Sequence, residues 1–376
     1  MAKRAVCISC YNFYDHRVEL VLDQLRLKGY QCTYITGDYN HFTRERYHID
    51  YPDSVQVHTV LYRRNVSFAR IYSHIRFARD VFRRVEQIDP DFLYVMVPPN
   101  SLSRWAAAYK RRHPRVKLAL DLYDLWPETF PSEKAKRLAA LPFRLWGKMR
   151  DRGLAAADRI YPECDLFRQV LGDRLAGKDV RILPLCREAA TAQPAPQAPE
   201  GEELALCYLG NIGKLADIDA MEALIRQMAA LRPVTVHVVG TGETQEQLIA
   251  AIERAGARAQ HHGIVYDPAQ RQQIFDRCHF GLNIMKTSVV VGLTMKSLDY
   301  FAGALPILNT IAGDTRQMIA RYDAGIEVDR EHPEETARQA ALMSPERNTA
   351  MRQNALRLFE ENYSLRRVRQ ILEDLE

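Results

Sequence analysis

Residues 292–307 read GLTMKSLDYFAGALPI. A polar, glycine-bearing loop feeds a short helix, Gly303 ends that helix, and a strand follows around Pro306. In open α/β sheets, ligands collect where strands hand over to helix N-termini. Such a terminus presents unpaired N–H groups and the positive end of a dipole, a setting suited to phosphate. The amides of Gly292, Leu293, Thr294 and Met295, with Lys296 as a point charge, therefore form a candidate anion seat. Asp299, one turn after Met295, is placed to accept hydrogen bonds from ribose hydroxyls. The competing reading makes Lys296 and Asp299 a solvated surface pair.

Two other loops share this setting. Gly210-Asn211-Ile212-Gly213-Lys214 follows the apolar run 205–209 and precedes a helical stretch at about 216–231. Its glycines permit close backbone approach to a ligand. Gly240-Thr241-Gly242 follows a strand at 234–239 but lacks the third glycine of a dinucleotide fingerprint, so a plain strand-to-helix turn is an equal reading. A helix at 244–255, strands at 280–285 and 305–308, and closing helices over 344–376 complete this half.

The first half shows the same alternation. Apolar or β-prone runs lie at 5–8, 32–35, 55–60, 92–97 and 116–120. Val18, Val21, Leu22 and Leu25 share one face of a helix over 17–27 that Gly29 ends, and residues 68–88 are helix-like. This is the pattern of doubly wound parallel sheets, an α/β fold built twice. Residues 189–203 (AATAQPAPQAPEGEE) hold no large apolar side chain and read as a linker. The expected organisation is a domain over 1–186, a linker over 187–203, a second domain over 204–355, and closing helices over 356–376 that pack back on the first domain.

A chain of 376 residues exceeds what one core usually organises. No apolar run approaches the roughly 18 residues of a membrane span, and the N-terminal apolar stretch is too broken for a signal peptide. A cytoplasmic protein is expected. Seven scattered cysteines do not suggest a disulfide framework. Cys7 and Cys10 read as small apolar residues at the end of a buried first strand. Through Cys186, 32 Lys and Arg stand against 21 Asp and Glu, whereas the remainder carries 20 against 26. A basic first half favours anionic partners, and no nucleic-acid reader motif is present.

Several of these stretches resemble the GT-B glycosyltransferases of family 4, particularly those of bacterial capsule and exopolysaccharide synthesis. Residues 210–214 are similar to the family's first glycine loop, and 237–242 to its next strand and V-G-x-G turn. Residues 292–307 are similar to its donor loop, helix and following strand, with one extra residue between Gly303 and Pro306. Asp15-His16-Arg17-Val18 with residues 25–29 resembles the opening acceptor loop and helix. Asp121-Leu122-Tyr123-Asp124-Leu125-Trp126-Pro127-Glu128 looks like a "D-x-x-D-L-W-P-E" loop of several polysaccharide transferases. The family often has two glutamates eight positions apart; here the pair reads Val291 and Asp299. Its usual arginine after the leading glycine is Asn211.

The resemblance implies two Rossmann-like domains facing across a cleft, with a nucleotide-diphosphate sugar bound in the second. It implies donor contacts from Gly210, Asn211, Ile212, Gly213, Gly240, Gly242, Gly292, Leu293, Thr294, Met295 and Asp299. Lys296 and Lys214 would neutralise the leaving diphosphate without a metal or other cofactor. On the acceptor side it implies Asp15, His16, Arg17 and Trp126, with Asp124 as base or orienting group and Asp121 in reserve. The acceptor would be a glycan or a polyprenyl-diphosphate-linked sugar, and the outcome retention of configuration. The basic stretch 132–158, with interleaved leucines and aromatics, suits contact with an anionic membrane at its inner face or an ordinary surface helix. Two other functions remain open: a nucleotide-sugar epimerase of the same fold, and a nucleotide-sugar-binding subunit without catalysis.

Overall fold

The computed structural model describes residues 2–11, 15–40, 43–63, 67–130, 133–188, 194 and 196–375. The linker expected over 187–203 falls partly outside these residues. The chain divides into two compact units, Met1–Leu183 with Arg369–Glu376, and Pro184–Val368.

In the first unit, strands β1 (Arg4–Ser9), β2 (Gln31–Gly37), β5 (Ser54–Val57), β6 (Phe92–Val97), β7 (Lys117–Leu122), β8 (Arg159–Pro162) and β9 (Asp179–Val180) form a parallel sheet among the described residues. Its order is β5-β2-β1-β6-β7-β8-β9, and a small hairpin of β3 (Tyr39–Asn40) and β4 (Glu45–Arg46) stands apart. Helices α1 (Asp15–Leu27), α2 (Phe68–Ile88), α3 (Asn100–Arg112), α4 (Glu133–Leu138), α5 (Ala140–Ala156) and α6 (Asp165–Leu171) connect the strands. β6, FLYVMV, is buried throughout because a central parallel strand is covered on both faces. The Ser67 hydroxyl caps α2 by accepting from the Arg70 N–H, and left-handed Asp89 closes it. Cys7 and Cys10 are buried free thiols.

The second unit repeats the plan. Strands β10 (Leu204–Leu209), β11 (Val234–Val239), β12 (Arg258–Gly263), β13 (Phe280–Asn283), β14 (Ile307–Asn309) and β15 (Gly325–Glu327) pair in parallel in the order β12-β11-β10-β13-β14-β15. Around them lie α7 (Ile218–Ala229), α8 (Gln245–Arg254), α9 (Pro268–Asp276), α10 (Met295–Ala302), α11 (Asp314–Tyr322), α12 (Pro333–Ala341) and α13 (Pro345–Asn362), and α14 (Leu365–Leu372) begins in this unit and ends in the first. β10 has β11 on one side and β13 on the other, so the winding reverses there and opens a crevice at the strands' carboxyl ends.

Helix α10 is seated by Tyr300. Its hydroxyl donates to the Cys207 carbonyl at 3.1 Å and accepts from the Leu209 N–H at 2.7 Å. The ring lies so close to Gly281 that a Cβ there would stand 2.8 Å from it. At the far end Gly303 packs on Phe275, where a Cβ would approach to 2.4 Å.

The expected boundary at 355/356 falls inside α13, whose Ala355, Leu358 and Phe359 are buried. Met351 lies on the same buried face, where Asn348 and Arg352 donate to the His279 and Cys278 carbonyls, so one continuous buried face runs through the expected boundary. The division between the units comes later, between Val368 and Arg369 within α14. Among the described residues, no helix is long and apolar enough to cross a membrane.

Candidate functional site

At the carboxyl ends of β10, β11 and β13 lies a cavity of about 830 Å³. Gly210, Asn211, Gly213, Lys214, Gly240, Thr294, Met295, Lys296 and Asp299 line it. Three loops separated by up to 89 positions, from 210 to 299, therefore meet in one place, as the loop-to-helix reading expects.

The first two loops are locked together. Gly210 has φ +107° and Gly240 has φ +131°, and a Cβ on Gly240 would stand 2.0 Å from the Gly210 carbonyl oxygen. Only glycine fits there. Ile212 and Gly242 do not line the cavity; they form the joint behind it. The Ile212 N–H donates to the Thr241 carbonyl at 3.0 Å, and the Ile212 carbonyl accepts from the Thr244 N–H and hydroxyl. A Cβ on Gly242 would come within 2.3 Å of that carbonyl.

The third loop divides similarly. Gly292 and Leu293 are buried behind the wall, and the Gly292 carbonyl accepts from both the N–H and the hydroxyl of Thr315. Thr294 and Met295 reach the cavity. The Thr294 hydroxyl caps α10 by accepting from the Ser297 N–H at 3.2 Å and itself donates to Asn283 Oδ1 at 3.3 Å. Fully buried Asn283 in turn donates to Asn309 Oδ1 at 2.7 Å. A buried amide pair thus aims the helix N-terminus, a link that no local spacing in the sequence announces.

Lys296 is half-buried, with Nζ 5.0 Å from the centre of the Tyr208 ring. Among the described residues it has no ion-pair partner, and burial pushes its pKa down to about 8. Asp299 does not pair with it. Its Oδ1 lies 3.3 Å from Arg187 Nε and 3.8 Å from an Arg271 nitrogen, so this carboxylate already has two guanidinium neighbours. Lys214 is 78% exposed and paired with Glu243 at 3.3 Å. One cation is desolvated and open to the cavity, and the other is solvated and partly neutralised.

Sequence reasoning missed the wall formed by Ile264, Val265 and Tyr266. Among the described residues their main-chain groups make no hydrogen bonds, and Ile264 and Tyr266 are exposed. The available signal was an apolar triplet just before the Asp267 cap of α9. It went unread because β12, RAQHHG, lacks the alternation of a strand.

In the first unit, the acceptor-side candidates separate by burial. Arg17 is enclosed: Nε meets Asp121 Oδ2 at 2.6 Å, one terminal nitrogen meets Oδ1 at 2.9 Å, and the same nitrogen donates to the Leu183 carbonyl. The Tyr94 hydroxyl also donates to Asp121. This fully paired buried cluster binds α1 to β7 and leaves neither Arg17 nor Asp121 facing solvent. The structure thus gives Arg17 and Asp121 a buried pairing with each other in place of an open acceptor-side face. His16 is exposed beside Glu19, and Asp15 begins α1, with its side chain outside the described residues.

Asp124 lies just beyond β7, where Oδ1 accepts from the Leu125 N–H at 2.7 Å and from the Thr129 hydroxyl at 3.3 Å. No cation pairs with it among the described residues, and burial pushes its pKa up to about 6. Glu128 instead takes both forks of buried Arg150 and a contact from Arg174, which hold it low despite its burial. Trp126 packs edge-on against Phe130 and Trp146, with the Arg70 guanidinium 5.7 Å from its ring. Among the described residues, no group of three or more His, Cys, Asp or Glu is placed to hold a metal ion.

Residues 205–343, less than half of the chain but containing all three loops, match the family model described as Glycosyl transferases group 1. No curated protein sequence matches the chain. Among solved structures, the chain is similar to sucrose-phosphate synthase from Thermosynechococcus elongatus, with a TM-score of 0.73 at 11% identity over 99% of this chain and 98% of that one. It is similar also to WaaG, a glycosyltransferase involved in lipopolysaccharide biosynthesis, with a TM-score of 0.64 at 14% identity over 99% of each chain. HepE of Anabaena, solved with UDP and glucose, gives 0.62 at 12% over 99% of each. At these identities the likeness is one of fold, two parallel-sheet units of the GT-B kind. Taken with the matched domain, that fold supports a transferase of the glycosyltransferase class.

Proposed function

We propose that the protein moves a sugar from a nucleotide-diphosphate sugar to a glycan or lipid-linked saccharide in surface polysaccharide synthesis. The observation that carries this reading is Lys296: a desolvated cation without a carboxylate partner among the described residues, in the first turn of α10, beside a cavity bounded by two glycine turns. A diphosphate leaving group needs that combination of point charge and oriented N–H groups. HepE was solved with UDP, which supports a nucleoside diphosphate as the occupant here.

In the transfer, the bond from the sugar's anomeric carbon to the diphosphate oxygen breaks and a bond to the acceptor oxygen forms. Lys296 and the N-terminus of α10 take up the charge gained by the diphosphate. Asp124 orients the acceptor hydroxyl or accepts its proton, for which a pKa near 6 is suitable. Neutralisation by lysine and helix dipole makes metal unnecessary in this proposal, and retention of configuration is the proposed outcome. Exposed Arg137, Arg144 and Lys148 suit work at an anionic cytoplasmic membrane face.

The test is incubation with UDP-, GDP- and dTDP-sugars and a lipid-linked saccharide. Transfer product is expected. Epimerised donor, or nucleotide binding with no product, would overturn the proposal.

A further inference from the structure

The first unit contains a second cavity, of about 550 Å³, between the start of α2 and helix α5. Phe130, Phe143, Trp126 and Trp146 wall it in a run of edge-on and tilted ring contacts. Arg70 lines it as a cation, with its guanidinium 5.7 Å from the Trp126 ring and donating to the Tyr11 hydroxyl at 3.3 Å, and the other polar groups along it are engaged elsewhere. The Asn100 amide donates to the Trp126 and Trp146 carbonyls, the Ser101 hydroxyl donates to the His74 carbonyl, and His74 Nε2 bonds the Tyr11 hydroxyl. Apart from Arg70, a polar ligand would find little to bond along this lining.

Phe68, Ile71, Ile75 and Leu145 of the lining stand in solvent, and Leu138 and Leu141 continue the exposed apolar row at helical spacing. Phe68, Ile71 and Ile75 follow one another along α2, and Leu138, Leu141 and Leu145 along α4 and α5. Cations alternate with the second set: Arg137, Arg144 and Lys148 are exposed and have no ion-pair partner among the described residues. An apolar trough whose α5 wall also carries exposed, unneutralised cations beside its lining residues in sequence complements a hydrocarbon chain that carries an anionic head. The trough also runs to Trp126, two residues from Asp124, the carboxylate assigned to the acceptor.

We infer that this groove binds the hydrocarbon chain of an individual anionic amphiphile, the lipid carrier of the acceptor saccharide. Arg137, Arg144 and Lys148 meet the phosphate-bearing head, and the aromatic walls hold the chain. This rests on the proposed transfer reaction and narrows its acceptor to a lipid-borne one.

The test titrates the full chain with hexyl, octyl, decyl and dodecyl monophosphate, each below its micelle concentration, and follows fluorescence of the two tryptophans in the wall. Nucleoside diphosphate binding is measured in parallel. Saturable binding that tightens by about fourfold for each added CH₂ is expected. Ile71→Glu and Leu145→Glu, both at exposed positions, should weaken dodecyl monophosphate at least tenfold while the melting temperature and nucleotide affinity hold. Affinity independent of chain length would overturn the inference. So would adsorption to anionic phosphatidylglycerol vesicles without binding of the monomeric alkyl phosphates, which would make the surface a membrane contact only. Loss of nucleotide binding alone would instead count against the transferase proposal and leave the groove standing.

Discussion

The two units wind their sheets in the same manner, yet they dispose of charge in opposite ways. In the second unit the cavity acids Asp299 and Glu243 are held by two arginines and by Lys214, and a lysine, Lys296, is left without a carboxylate among the described residues. In the first unit Asp121 and Glu128 are held by Arg17 and Arg150, and an acid, Asp124, has no ion-pair contact among the described residues, with Arg70 acting on it only from a distance. The fold alone does not determine where chemistry is placed. It is the charge that folding leaves unmatched and desolvated that distinguishes a reactive position from a structural one.

The largest effect should come from breaking a matched pair. Asp121→Ala leaves the Arg17 guanidinium buried without its carboxylate and should lower stability by about 3–5 kcal/mol in chemical denaturation. Replacing Arg17 by Met and Asp121 by Leu together should cost much less than that. Next comes removal of the unmatched cation. Lys296→Ala should reduce turnover by about 10²–10³-fold with the melting temperature unchanged. Asp124→Asn should lower turnover by about 10²-fold and leave nucleotide affinity as it was.

Titration sharpens the comparison further. Lys296 holds its proton below a pKa of about 8, so nucleotide affinity should fall as pH rises through that value. Asp124 becomes a carboxylate above about 6, so turnover should also rise through that lower limb. Turnover thus follows a bell with limbs near 6 and 8, whereas equilibrium binding of the nucleotide sugar, whose substituted diphosphate does not titrate in this range, shows the upper limb alone. A lower limb that persists in Asp124→Asn would contradict the assignment. The smallest effect is reserved for Lys214→Ala, whose exposed pair with Glu243 should change turnover by no more than about threefold. EDTA should leave the rate unchanged, and loss restored by added metal would refute metal-free neutralisation.

Much of this arrangement was legible in the sequence. The limits read for α2, β6 and β11 coincide with the structure because each carries a strong period or an unbroken apolar run. The glycine turns were readable because Gly210 and Gly240 occupy backbone conformations that other residues avoid. Partners distant along the chain were not readable. Arg17 lies in a segment that resembles an acceptor loop, and only folding brings Asp121, 104 residues away, against it. Asp299 looked like a ribose contact or a mate for Lys296 because spacing reveals neighbours on one helix but not Arg187 arriving from another segment. The polar edge strand β12 hid for a related reason: its residues are mostly exposed or half-buried, so no alternation marks it.

The central claim is that Lys296 and the start of α10 hold the diphosphate. Its most direct test compares the affinity of the tightest-binding nucleoside diphosphate with that of its parent nucleoside, in the native protein and in Lys296→Ala. The account predicts that the advantage of the diphosphate shrinks at least tenfold in the variant while nucleoside affinity stays put. An unchanged advantage would mean that the phosphates are held elsewhere.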